Sequence, residues 1–303
     1  MSKTSELKDP AQKVDPRKVG HKPPHNEQEK IDPPGLTSEM TPRPDHGEES
    51  YQGFGRLKDK IALITGGDSG IGRAVAIAYA REGADVVLSY LPEEEEDAAE
   101  CEQWITKAGR KALRVPGDIR EEAHCKKIID SAFQKFGKLD VLVNNAAFQS
   151  THDSIEEFST EEFDRTFKTN VYAMFWLCKF ALPRMEPGSV IINTASIQSY
   201  NPNPMLLAYA STKGAIVNFT KGLSKMAAKQ GVRVNAVAPG PVWTPLIPST
   251  MPDQKVEEFG KDTSFERAAQ PRELAPLFVF LASNESNFVT GEVYGATGGS
   301  TPY

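Results

Sequence analysis

Cysteine is scarce in this chain. Cys101, Cys125 and Cys178 are the only three in 303 residues, an odd number at wide spacing with no CxxC pair. Neither a disulfide framework nor a thiolate metal site is expected, and the thiols suit a reducing, cytoplasmic setting. Histidine is equally thin. Of His21, His25, His46, His124 and His152, three fall in the first fifty residues and none pairs at metal-ligand spacing. No metal site is therefore expected, and the strands beyond residue 152 carry no histidine base. No window approaches the roughly 18 consecutive apolar residues of a membrane-spanning helix, and the N-terminus lacks the apolar core of a secretory signal. Positive charge is not in excess: 35 Lys and Arg against 41 Asp and Glu give a net charge of −6. That balance argues against nucleic acid or an anionic membrane as a partner.

Aromatic residues are missing altogether from residues 1–50, which instead hold eight of the 22 prolines. Such a stretch has too little apolar surface to offset its ordering entropy. Residues 1–55 are expected to form a flexible, Pro-rich arm, with Ile31, Leu36 and Met40 as small anchors should it dock. The folded domain is expected over 56–303.

From Leu57 onward, short runs rich in Val and Ile alternate with segments of helical length. Ile61–Thr65, Asp85–Tyr90, Ala112–Pro116, Asp140–Asn144, Ser189–Thr194 and Val232–Ala238 read as strands. Helices are predicted to start near Gly70, Pro92, Glu121, Thr160 and Leu206. Apolar runs of this kind fit a parallel sheet covered on both faces, and the alternation predicts an α/β, doubly wound, Rossmann-type single domain. The acidic run Glu93–Asp97 follows Pro92 and reads as the solvated first turn of a helix. Val171–Leu182 is apolar almost all round, so a second subunit is expected to cover its outer face. The expected assembly is a homo-oligomer, either a dimer or a tetramer.

The turn between the first strand and the first helix contains Gly66, Gly67, Gly70 and Gly72. Glycines there allow close backbone approach to a pyrophosphate, and the helix N-terminus adds N–H donors and partial positive charge. A P-loop would need Lys then Ser or Thr after Gly72, where Arg73 and Ala74 stand. A nucleophile elbow at Ser69 would need glycine at 71, where Ile71 stands. Downstream, Tyr209 and Lys213 share a helix face at i and i+4, and Ser196 follows a strand. A phenol with a pKa of about 10 becomes a usable base when a cation sits beside it.

Thr65-Gly-x-x-x-Gly-x-Gly72, Asn144-Asn-Ala-Ala147 and Tyr209-x-x-x-Lys213, in this order, resemble the short-chain dehydrogenase/reductase family over roughly residues 57–299. The long arm and Gly66-Gly-Asp-Ser-Gly-Ile-Gly-Arg are most similar to a bacterial subgroup with N-terminal extensions, which includes general stress proteins and a broad-range aldehyde reductase. The resemblance implies hydride transfer between NADP or NAD and a carbonyl or alcohol substrate. It makes Tyr209 the proton donor or acceptor and gives Lys213 the nicotinamide ribose as well. Ser196 positions the substrate oxygen, and Asn170 holds a water that links Lys213 to solvent. It assigns the cofactor to Gly66, Asp68, Ser69, Gly70, Ile71 and Gly72 in the turn, and to Ser89 and Tyr90 at the end of the second strand. Asp118 with Ile119 meets adenine, and Asn144 and Ala146 line the ribose side. Pro239, Gly240, Val242 and Thr244 meet the nicotinamide side, and Tyr209 and Lys213 complete the set. The family's last strand ends near Asp-Gly-Gly, whereas Thr297 stands in the acid's place here.

NADP is slightly favoured over NAD at this stage, because no acid ends the second strand to accept the ribose 2′-hydroxyl. Residues 243–265 are expected to be a loop that closes over substrate. Two other functions remain open: a cofactor-binding scaffold or stress protein with little turnover, and a dehydratase or epimerase of the same family.

Overall fold

The structure, a computed structural model, describes residues 13–300. Its frame is one seven-stranded parallel sheet: β1 (Ile61–Thr65), β2 (Asp85–Tyr90), β3 (Ala112–Pro116), β4 (Val141–Asn144), β5 (Val190–Thr194), β6 (Arg233–Pro239) and β7 (Val293–Ala296). The strands run in the order β3-β2-β1-β4-β5-β6-β7. Alternation along each strand feeds two cores. Ala62 and Ile64 face α1 (Gly70–Arg81), α2 (Glu95–Lys107) and α9 (Ala275–Ala282). Ile61 and Leu63 face α3 (Glu122–Phe136), α5 (Ala173–Ala181) and α6 (Leu207–Ala227). Three shorter helices complete the set: α4 (Thr160–Phe167), α7 (Leu246–Thr250) and α8 (Asp253–Glu257). This is the doubly wound Rossmann-type architecture that the strand–helix alternation predicts. The strand order reverses between β1 and β4, which opens a crevice at the strands' carboxyl ends.

Two local features differ from the sequence expectation. The long apolar helix is broken by a π-helical turn at Lys168–Tyr172, so Asn170 sits in a bulge and not in regular helix. In the acidic run, Glu93, Glu95 and Glu96 are solvated, but Asp97 is buried and Glu94 half-buried. Positions three apart share a helix face, and that face turns inward here. All three cysteines are free and buried.

The largest difference is in the arm. Residues 1–12 lie outside the described residues, but residues 13–55, expected to be flexible, lie against the body. Ile31 and Met40 enter a third core with Trp243, Ile247, Val256 and Ala268. The Trp243 indole N–H donates to the Pro42 carbonyl at 2.7 Å, and the His25 ring stacks on it at 4.3 Å between centroids. The Thr37 N–H donates to Asp97 at 2.8 Å, and that of Asp45 to Gln270 at 2.9 Å. Near the arm's end, Glu82 on the C-cap of α1 accepts from the Tyr51 hydroxyl, the Arg56 guanidinium and the Phe54 N–H. Composition counts only the arm's own apolar surface. The covering surface here comes from the body, and the body's side chains satisfy the arm's backbone.

Deleting residues 1–45 is expected to destabilise the chain. Burial of side chains such as Ile31 and Met40 contributes roughly 2 kcal/mol each, partly offset by ordering entropy. The Tm should fall by roughly 5–10 °C, with a red shift in emission as Trp243 loses its cover. An unchanged Tm and spectrum would show that the docked arm adds nothing to stability.

Candidate active site

A cavity of about 530 Å³ runs along the carboxyl ends of the strands, within the range of cofactor sites. Its floor at the switch point is built by backbone contact. Gly66 and Gly70 have φ of +59° and +50°, values that favour glycine. A Cβ on Gly72 would lie 1.7 Å from the Gly66 carbonyl oxygen. The turn can therefore fold back on α1 only without side chains, and this brings the helix N-terminus to the cavity.

Gly66, Asp68, Ser69, Gly70 and Ile71 all line the cavity. So do Ser89, Tyr90, Asp118, Ile119 and Ala146, and on the far side Ser196, Tyr209, Lys213, Pro239, Gly240, Val242 and Thr244. Three predicted residues do not. Gly72 is under the turn, where its role is to leave room. Asn144 donates to Asn193 at 2.8 Å and braces β4 against β5. Asn170 is buried, with its amide donating to the Phe148 carbonyl and Thr212 and its oxygen accepting from the Phe148 N–H. A cavity of about 10 Å³, room for about one water, lies between Asn170, Lys213, Thr65 and Thr194.

Sequence reasoning missed Asn145, whose amide donates to the carbonyls of Thr65 and Gly66 at 3.2 Å. It also missed Gln149, Glu94 and the arm residues Pro33 and Pro34, which line the same cavity. The doubled Asn in Asn144-Asn145 was the available signal for Asn145. Glu94 and the arm gave no signal, because long-range packing brings them there.

At the β5 end, Ser196 caps a short 3₁₀ turn, its Oγ accepting from the Gln198 N–H at 3.2 Å. Burial pushes the Tyr209 phenol up to about 12, and a hydrogen bond with Ser196 opposes this. Lys213 lies 5.2 Å from the centre of the Tyr209 ring, and its Nζ donates to the Thr194 carbonyl at 2.7 Å. No carboxylate faces it, and burial pushes it down to about 7. Burial is the larger influence here, and the dry pocket disfavours charge on both groups. The arrangement presents a protonated phenol and a serine hydroxyl to one point in the cavity, above an amine poised near neutrality.

A family model described as "Enoyl-(Acyl carrier protein) reductase" matches residues 66–301. "Uncharacterized oxidoreductase YhxD" of Bacillus subtilis is 51% identical over 88% of this chain and 91% of its own length. The chain belongs to the short-chain dehydrogenase/reductase family. Another relative, "NADPH-dependent aldehyde reductase 1, chloroplastic" of Arabidopsis thaliana, is 44% identical over 88% of this chain and 95% of its own. A Burkholderia cenocepacia short-chain dehydrogenase solved with NADP superposes with a TM-score of 0.76 at 28% identity, covering 81% of this chain and 99% of that one. The family match begins after the arm.

The residues present fit a dinucleotide. The side-chain-free cradle and the helix N-terminus suit a diphosphate, and the buried Asp68 carboxylate has no donor from elsewhere in the chain. Gly72→Ala is expected to lower stability by about 2–3 kcal/mol, because backbone stands where the methyl would go. A urea midpoint equal to that of the parent chain would show that the turn can open without cost.

Proposed function

We propose that this chain is an NAD(P)-dependent oxidoreductase that interconverts an aldehyde or ketone and the corresponding alcohol. What supports it above all is the convergence of Ser196, Tyr209 and Lys213 on one cavity at the end of β5, with Lys213 5.2 Å from the centre of the Tyr209 ring and no carboxylate beside it. When bound, a nicotinamide dinucleotide supplies the hydride for reduction or takes it up in oxidation. The cradle from Gly66 to Ile71 and the walls at Asp118, Ala146, Pro239 and Thr244 would hold it.

The protein's own part is proton transfer and positioning. Ser196 Oγ and the Tyr209 hydroxyl both donate to the carbonyl oxygen, which gains negative charge as the new C–H bond forms. Held as a neutral acid, Tyr209 gives its proton to that oxygen, so the resting state is set for reduction. In oxidation the phenol must be ionised first, and positive charge in the cleft favours this. Lys213 and the small cavity beside Asn170 form a route by which the phenol's proton is restored. Gln149 on β4's side, and Leu246, Thr250 and Met251 from α7 and its end, close the substrate end of the cavity.

Homo-oligomerisation, as a dimer or tetramer, is supported by Tyr172 and Phe175 on the outer face around α5. These two residues are 44% and 46% exposed, more than a chain alone in water would favour for neighbouring aromatics. A cytoplasmic setting is supported by three buried, unpaired thiols.

Tyr209→Phe is expected to lower kcat/KM for carbonyl reduction by roughly 10²–10⁴-fold, with dinucleotide affinity within a few-fold of the parent. NAD(P)H absorbance against a panel of aldehydes, ketones and sugars checks this, and undiminished turnover would remove Tyr209 from the mechanism. Lys213 gives a second test. Its folded pKa of about 7 lies below the ordinary 10.5. Between these values the unfolded chain binds more protons, so stability rises with pH through that window. Lys213→Met should therefore raise Tm most at pH 7 and below, with the gain shrinking toward pH 10. A gain that does not change with pH would show that the buried ammonium is not its source.

A further inference from the structure

One end of the large cavity is walled by groups that have no work in the mechanism above. The turn after β1 places Asp68 there, 1% exposed, and neither carboxylate oxygen meets a donor from elsewhere in the chain. The turn runs beside the end of β2, since the N–H groups of Gly66 and Gly67 both donate to the Ser89 carbonyl. The Ser89 hydroxyl is also buried without a partner. Glu94 reaches the same wall from the entry to α2, tied by one oxygen to the Leu91 N–H at 2.8 Å. Pro33 and Pro34 of the arm line this cavity as well, and the arm is pinned nearby by the Thr37–Asp97 hydrogen bond.

Arg73 and Arg120 are committed elsewhere. Arg73, the sequence-local candidate for a phosphate contact, is buried among Glu100 at 2.8 Å, Glu48 at 3.6 Å and Asp97 at 3.7 Å. Arg120, which lines the cavity from the β3 side, is engaged by both oxygens of Asp118, and Arg165, which also lines it, lies over the Phe148 ring. The end of β2 is where folds of this type meet the adenosine ribose. Ser89 and Tyr90 bring no carboxylate to that point, but the fold supplies two from other segments.

We propose that Asp68, seconded by Glu94, accepts the hydrogen bonds of the adenosine ribose hydroxyls and so selects NAD(H) over NADP(H), with Pro33 and Pro34 closing the subsite. This rests on the oxidoreductase reading of the same cavity. The chemistry is one of sign. A ribose 2′-hydroxyl is a donor and satisfies the orphaned acceptors. A 2′-phosphate is an anion without donors, and in this water-poor pocket it would meet neither Arg73 nor Arg120 as a free cation, only two carboxyl groups that would have to stay protonated to receive it. Burial, with Glu94 nearby, pushes Asp68 well above the carboxylate range, and burial, with Asp97 and Glu93 nearby, pushes Glu94 up to about 7; hydroxyl donors from a ribose would favour the ionised forms. The Arabidopsis relative is named for NADPH, so cofactor choice would differ between the two chains.

The test is binding, measured on the full chain without substrate by the fluorescence of NADH and of NADPH on titration. The parent chain should bind NADH at least tenfold more tightly than NADPH. Asp68→Asn, which can donate as well as accept, should shift that ratio toward NADPH by tenfold or more. Glu94→Gln, nearer the rim and safer for folding, should shift it in the same direction by a smaller factor. Equal or tighter NADPH binding by the parent chain, or a ratio that neither substitution moves, overturns the proposal. If the parent chain reduces carbonyls with NADPH preferred, only the ribose assignment falls. If neither dinucleotide binds, the oxidoreductase reading falls with it.

Discussion

The rest of the structure depends on a knot of hydrogen bonds where β1 and β4 end side by side. Thr65 Oγ1 accepts from the N–H groups of both Asn145 and Ala146, at 3.0 and 3.1 Å. The Asn145 amide returns two bonds to the carbonyls of Thr65 and Gly66. These are backbone groups released from the sheet at its switch point, where the strand order reverses and no ladder can satisfy them. Tied in this way, the turn after β1 holds the tight path that brings α1's N-terminus to the cavity. The knot also extends toward the reacting end, since the Thr194 hydroxyl donates to Asn145 Oδ1 and the Thr194 carbonyl receives Lys213. Cradle and proton-transfer group are thus positioned by one continuous set of contacts and cannot drift independently.

Charge is handled in two opposite ways within this frame. Arg73 is buried among three carboxylates, which favour its charged form. Lys213 is buried with a carbonyl and a hydroxyphenyl ring but no carboxylate. The first arrangement fixes an ion as a structural strut. The second leaves an amine whose protonation is nearly balanced at neutral pH, which is a property useful to proton transfer and of no value to stability. The same distinction separates Glu82, saturated by donors from the arm, from Asp68, which has none to spare it. Asp68 and Lys213, both buried without an opposite charge, both face the cavity.

Much of this was legible in the amino-acid sequence, for a physical reason. Five helix starts and six strands follow from local periodicity, and the strands Ile61–Thr65, Asp85–Tyr90 and Ala112–Pro116 have the expected bounds. β7 escaped because it is a half-exposed edge strand of four residues with a glycine inside it, and carries no apolar run. α9 is apolar all round and gave no amphipathic period to detect. At the site, residues in contiguous motifs were found, whereas those delivered by packing were not. The bulge at Asn170 escaped because a π-turn leaves no mark on a pattern of apolar residues. Glu94 and Asp97 were assigned to solvent because a run of acids conceals which face will be covered, and by what.

The covering element is the arm, and its position ties stability to the site. Met40 and Ile31 pack on Trp243, Ile247 and Val256, which belong to the segment that closes the substrate end. Pro33 and Pro34 stand on the wall where the nucleotide's ribose is inferred to lie. A closing loop with few partners of its own must be ordered each time ligand binds, and that ordering subtracts from affinity. Here the ordering is done when the chain folds, because the third hydrophobic core exists only when arm and loop are together. The loop therefore meets its ligand already shaped, with the reacting groups held where a small displacement would otherwise cost rate. An N-terminal segment whose composition alone argues for disorder becomes, once the body supplies its other half, the part of the molecule that makes the cavity a preorganised site.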